Sequence, residues 1–237
     1  MIVLPVSVVI AFSEFVLGYS TNGDICESAL YCIKEYLLEL NYATPPYPSY
    51  GAIVGLKAGV LRNGTRGLEK LCSIQLKFQN CMASDQQCLN GTAHFLANQL
   101  QISDEAARDY QIYFAENVYE CGTGRRDLLD NLQCFRDHQN ESVGIMTKCR
   151  RLSLPLRYDP SRRCKRAVNL TTCLRDGFRA VCRVGAGEFM CNEEKVALRS
   201  SGYADCEPQL KQIECGAVSI GTLSLAVTLF SFILVSV

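Results

Sequence analysis

The sequence predicts a mainly α fold made of short helices crosslinked by multiple disulfides. Three observations carry this reading. Apolar residues recur at three- and four-residue steps in one segment after another, and β-branched alternation is scarce between the two ends. Fourteen cysteines, all between Cys26 and Cys215, supply the crosslinks.

The first helical stripe runs from Glu27 to Leu40 and stops at NYATPPYPSYG, where Pro45, Pro46 and Pro48 forbid a helix and favour extended chain. The tyrosine- and proline-rich piece Thr44–Tyr50 reads either as an exposed recognition loop or, more commonly for such a segment, as a packed connector. Gly51–Gly59 is too glycine-rich to assign. From Gly67 to Met82 the residues Leu68, Leu71, Cys72, Gln75, Phe78 and Cys81 mark one helical face. A capping box at Ser84–Gln87 opens a short helix through Cys88. Ser103 is a good N-cap with acids directly behind it, and the helix to Glu120 carries Tyr110, Tyr113, Phe114 and Val118 on one side. Further helices are expected at Asp127–His138, Val143–Leu152, Cys164–Cys182, Asn192–Ser200 and Pro208–Ile213.

Cysteine makes up about 6% of the 237 residues. Cytosolic proteins keep thiols reduced, whereas secreted domains use them as crosslinks. Zinc sites need close C-x2-C or C-x2–4-C pairs, often with histidine. Here the closest pair, Cys26 and Cys32, has five residues between its members, and there are only two histidines. All fourteen are therefore assigned to disulfides: Cys26, Cys32, Cys72, Cys81, Cys88, Cys121, Cys134, Cys149, Cys164, Cys173, Cys182, Cys191, Cys206 and Cys215. No metal and no cofactor is expected. Cys164, Cys173, Cys182 and Cys191 are separated by eight residues each. A nine-residue step is about 2.5 helical turns, so successive cysteines face opposite ways and reach different partner helices. Residues 26–121 and 122–215 are candidate halves of the ectodomain.

Both ends carry targeting signals. Residues 1–20 have the length of a secretory signal peptide, with an apolar run from Ile2 to Leu17 broken by Glu14 and small residues at Gly18 and Ser20 for cleavage. Residues 216–237 carry no charge and nothing follows them, the pattern of a GPI-attachment signal that is removed. Gly216 and Ala217 are the attachment candidates, because attachment at Cys215 would leave an odd thiol. A single spanning helix, or secretion without an anchor, is the alternative. Four sequons, at Asn63, Asn90, Asn140 and Asn169, mark N-glycosylation positions on the folded surface.

No nucleophile elbow, zincin helix, P-loop or dinucleotide fingerprint is present. His94 and His138 read as surface residues rather than bases. The 24 basic and 24 acidic residues cancel, but between Lys148 and Arg183 eleven basic residues face only Asp159 and Asp176. Arg150, Arg151, Arg162, Arg163, Lys165 and Arg166 are the candidate patch for an anionic partner such as a sulfated glycan, since arginine forks match sulfate and carboxylate. The competing reading pairs these arginines with acidic stretches such as Asp104–Glu120. Arg163-Cys-Lys-Arg166 also has the form of a convertase site, hindered by the cysteine within it.

The removable ends, the helical filler between Cys164, Cys173 and Cys182, and the segment Cys121-x12-Cys134-Phe135 resemble two groups of surface proteins. One is the GDNF-family receptor alpha chains, and the other the invertebrate cysteine-rich ectodomains similar to chondroitin proteoglycan 4. The resemblance spans about half of the ectodomain. It implies a helical, GPI-anchored domain that binds a protein ligand or belongs to an extracellular coat. The tightly spaced cysteine pairs of the former and the acid-flanked Ser-Gly runs of the latter are missing, so no binding residue is carried over. The expectation is a non-catalytic binding, adhesion or receptor-like ectodomain at the outer face of the plasma membrane. Its partners would be the membrane, through the lipid anchor, and an extracellular protein or a sulfated glycan, with no nucleic acid. A structural cell-coat or matrix glycoprotein is the alternative.

Overall fold

The computed structural model describes residues 27–83, 85, 88–89, 93–153 and 162–216. Among them are ten α-helices, one 3-10 turn and no strand. The helices are α1 (Glu27–Glu39), α2 (Tyr50–Leu61), α3 (Thr65–Cys81), α4 (Ala93–Leu100), α5 (Asp104–Cys121), α6 (Arg125–Asp137), α7 (Gln139–Ser153), α8 (Arg163–Val181), α9 (Val184–Ser200) and α10 (Glu207–Lys211). The 3-10 turn, Ala204–Cys206, leads directly into α10. The two apolar ends, the Asn90 sequon and most of the Ser84–Gln87 capping box lie outside the described residues.

The chain packs around two large cores and a small third one. α1–α5 enclose the first, in which Tyr36, Phe78, Tyr113 and Phe114 form an aromatic knot. Phe78 stacks on Phe114 at 4.2 Å between ring centroids, and Tyr36 meets both edge-on. The buried hydroxyls stay satisfied: Tyr36 and Tyr113 bond each other at 2.9 Å, and Asn117 Nδ2 donates to Tyr36 at 3.0 Å. α6–α9 enclose the second core around Leu128, Leu132, Leu174, Phe178 and Phe189, and Leu68 of α3 also enters it. The third gathers Ala167, Leu198, Leu210 and Ile213 under the last turns.

Six disulfides join the described helices. Cys32–Cys81 and Cys72–Cys121 tie α3 to α1 and to the end of α5. Cys134–Cys182, Cys149–Cys173 and Cys164–Cys206 tie α8, or the residue just past its end, to α6, α7 and the 3-10 turn. Cys191–Cys215 ties α9 to the last described residues. The nine-residue step works as the helical geometry requires, with Cys164 and Cys173 on one continuous helix reaching different partners. Cys88 is also disulfide-bonded. None of the six bonds crosses from residues 27–121 to residues 122–216. The two cysteines outside these pairs, Cys26 and Cys88, both belong to the first stretch.

Two local expectations change. Gly51–Gly59 lies within α2, which Ser49 starts by accepting a hydrogen bond from the Ala52 amide at 3.3 Å. Its three glycines mask a helix that burial of Ile53 and Lys57 stabilises. On α5, Val118 is exposed, because the buried stripe continues from Tyr113 to Asn117 and Glu120 rather than turning outward. Ser103 caps α5 as expected, accepting from the Ala106 amide at 3.1 Å. The Thr44–Tyr50 segment is a packed connector: Pro48 is buried, and its carbonyl accepts the Tyr110 hydroxyl at 2.9 Å.

α2 and α3 approach so closely that a Cβ at Gly67 would lie 2.1 Å from the Val60 carbonyl oxygen. Gly55, on the open side of α2, has nothing within 4 Å of a Cβ. Gly67→Ala should therefore destabilise the fold by about 1–3 kcal/mol through overpacking. Gly55→Ala should stabilise it by about 0.5–1 kcal/mol through helix propensity. Urea denaturation of the two variants checks both signs.

Candidate functional site

A cleft of about 410 Å³ opens where the two stretches meet, lined by α2 and α5 from one side and α6–α9 from the other. Helical spacing aims each contribution. On α2, Tyr50, Val54, Lys57 and Leu61 recur at three- and four-residue steps and share one face. Glu116 and Glu120 lie one turn apart on α5, on the face that also buries Tyr113. Val143, Met146 and Arg150 form the α7 stripe, and Leu132 and Phe135 of α6 with Phe178 of α8 make the apolar wall. α9 closes the inner end with Phe189, Met190, Glu193 and Glu194.

The inner end is charged and buried. Glu116, Glu120, Glu193, Glu194 and Lys57 are all less than a tenth exposed. Lys57 Nζ donates to Glu120 Oε1 at 2.5 Å. The Tyr50 hydroxyl donates to Glu116, 3.0 Å from each carboxylate oxygen, and accepts from Arg150 Nη2 at 2.6 Å. Arg150 Nη2 also lies 3.6 Å from Glu116 Oε1, and its guanidinium covers the Tyr50 ring at 4.3 Å. The Arg150 contacts bridge the two stretches where no described disulfide does.

Four buried carboxyls thus face two basic groups, and protonation follows from that imbalance. Burial pushes Glu193 well above the usual carboxylate range, and the Glu120 carboxyl, in hydrogen-bonding contact with it, pushes it further. Burial raises Glu194 to about 7 against the pull of Arg150. Asp109, on the same side of α5, is raised by burial to about 6, again against Arg150. Glu116 is also raised by burial, with Lys57 and Arg150 opposing. Burial alone would draw the proton off Lys57, but Glu120, Glu193 and Glu116 outweigh it and hold the ammonium charged.

The candidate anionic-partner patch does not assemble as one surface. Arg151, Arg162 and Lys165 are exposed, while Arg166 is buried and Arg150 faces the cleft. Arg163 pairs with Asp205. Arg150 meets the acidic stretch of α5 through Glu116, as the competing reading proposed. The convertase-like Arg163–Arg166 run sits in the first turn of α8, with Cys164 bonded to Cys206. Among the sequons, Asn63, Asn140 and Asn169 are exposed. Cys164, Cys206 and Asp205 cluster within metal-binding distance, but both sulfurs are committed to the disulfide. His94 and His138 are partly or well exposed, beside Asp104 and Glu141 respectively. Cys215 is bonded to Cys191, and Gly216 follows it at φ +104°.

No protein-family model, curated protein or solved structure matches this chain.

The cleft residues had a sequence signal that periodicity alone overlooks, namely charges standing at core-facing positions. Lys57 is the only charge in the run GAIVGLKAGV, and Glu116 and Glu120 continue the stripe that Tyr113 begins.

Glu194 and Asp109 bind their protons more tightly folded than unfolded. Their stabilising contribution is therefore complete below their ordinary values of 4.5 and 3.8, and is lost as pH rises through about 7 and about 6. The thermal midpoint should be several degrees higher at pH 5.5 than at pH 8, and Glu194→Gln should flatten that slope. A midpoint that rises toward pH 8 would contradict the assignment. Lys57→Met removes the cation opposite Glu120 and should cost about 3–5 kcal/mol at neutral pH. Glu193→Gln, which replaces a carboxyl whose hold on its proton burial strengthens, should cost far less than Lys57→Met in the same denaturation assay.

Proposed function

We propose that the chain is a GPI-anchored extracellular glycoprotein acting as a non-catalytic, receptor-like binding ectodomain, with the cleft between its two disulfide-bonded stretches as the binding site. The cleft carries this reading. Its volume falls in the range of small-molecule sites, its walls are apolar, and a few polar groups converge at one end. Disulfides hold α5–α9, which form most of its walls, so little conformational freedom would be lost on binding.

An oxidising compartment agrees with the six disulfides. Exposure of Asn63, Asn140 and Asn169 suits glycan attachment. Among the described residues no helix is long and apolar enough to cross a membrane. Pairing of Cys215 with Cys191 favours lipid attachment at Gly216 or Ala217, just beyond the last crosslink.

Phosphatidylinositol-specific phospholipase C should release the glycosylated protein from cells expressing the full chain. Retention at the surface after the treatment, with a co-expressed GPI-anchored marker released, would overturn the anchor.

A further inference from the structure

The cleft has two chemically different ends. Its rim carries exposed Arg62, Arg136 and Asp137, and its wall is formed by apolar side chains including Phe135, Phe178 and Phe189. At the inner end the basic groups are already engaged, Lys57 by Glu120 and Arg150 by Tyr50 and Glu116. Two carboxyls, Glu193 and Glu194, are left in excess. Glu194 is 3% exposed, and its Oε1, buried within the lining, has no hydrogen-bond partner. A buried acceptor without a protein donor costs on the order of 1–3 kcal/mol, which a donor-bearing ligand would recover.

We infer that the inner end of the cleft, at Glu193 and Glu194, binds a protonated amine whose apolar body lies along the aromatic wall. This inference rests on reading the cleft as a binding site. An ammonium group brings up to three donors and no acceptor, so it suits an end rich in carboxyl oxygens. On binding, its charge takes the place of the proton that the surplus carboxyl Glu194 otherwise keeps, in a region where water screens little. A carboxylate in the same position would face Glu116, Glu120, Glu193 and Glu194 together. It could be met only at the rim, by Arg62 and Arg136. A neutral hydroxyl could donate to Glu194 but would leave the charge imbalance unchanged. The groups facing an incoming head are Tyr50 and Lys57 of α2, Glu116 and Glu120 of α5, Arg150 of α7, and Glu193 and Glu194 of α9. The acids outnumber the bases whichever of the two α9 carboxyls the head approaches.

Calorimetric titration of the full-length protein from a secretory host with octylammonium, octanoate and octanol at pH 7.5 tests this, because the three share one apolar body. Octylammonium should bind saturably, one per chain, at least about tenfold more tightly than either of the others. Glu194→Gln should weaken the amine about tenfold or more, with an unchanged circular dichroism spectrum showing that the variant is folded. Octanoate binding as tightly as the amine, or amine binding unaffected by Glu194→Gln, would overturn the charge assignment and leave the cleft reading standing. Failure of all three ligands to bind would overturn the cleft reading itself.

Discussion

The structure depends on a seam of buried charge. Lys57 on α2 reaches Glu120, and Arg150 on α7 reaches Tyr50 and Glu116, while Glu193 and Glu194 close in from α9. Taking these groups out of water is costly, and Coulomb attraction repays the cost only where the partners are complete. Lys57 and Arg150 each meet a carboxylate, Glu120 and Glu116 respectively. The α9 carboxyls have no base of their own, so burial strengthens their hold on protons. An apolar seam of similar volume would serve packing equally well or better. The Arg150 contacts instead help fix how the two stretches meet, since a shift of one helical turn between them would leave Arg150 without Glu116 and Tyr50.

Covalent and noncovalent restraints are divided along the chain. Each described disulfide acts within one stretch and contributes ~2–4 kcal/mol, mainly by restricting the unfolded chain. That contribution matters for helices such as α4, with eight residues, and α10, with five, which would not persist alone in water. The seam between the stretches has no described covalent tie. The described crosslinks act within each stretch, while across the seam the stretches meet through the Arg150 contacts and through apolar packing such as Tyr119 on Phe189.

Much of this architecture was legible in the amino-acid sequence. Apolar spacing located α1, α3, α5 and α8, because each buries a single stripe, and Ser103 announced the start of α5. α2 was hidden: Gly51, Gly55 and Gly59 lower helix propensity, and its cohesion comes from the close approach at Gly67, a tertiary effect. The regular cysteine spacing implied that neighbouring cysteines reach different helices, but pairings require the fold itself. The cleft was not legible either. The cluster of arginines between Lys148 and Arg183 drew attention to the surface, although Arg150 turns inward and Arg166 is buried. Sequence proximity says little about which face of a helix a charge occupies. Lys57, Glu116 and Glu120 were detectable only as charges breaking an apolar face.

The charge state of the seam can be read directly from the carboxyl stretch in the infrared. A difference spectrum at neutral pH between the wild-type protein and Glu193→Gln should show a protonated carboxylic acid in the wild type that the substitution removes. A difference spectrum with no protonated-acid band, showing instead the loss of an ionised carboxylate, would contradict the account, because the seam would then carry its acids fully charged.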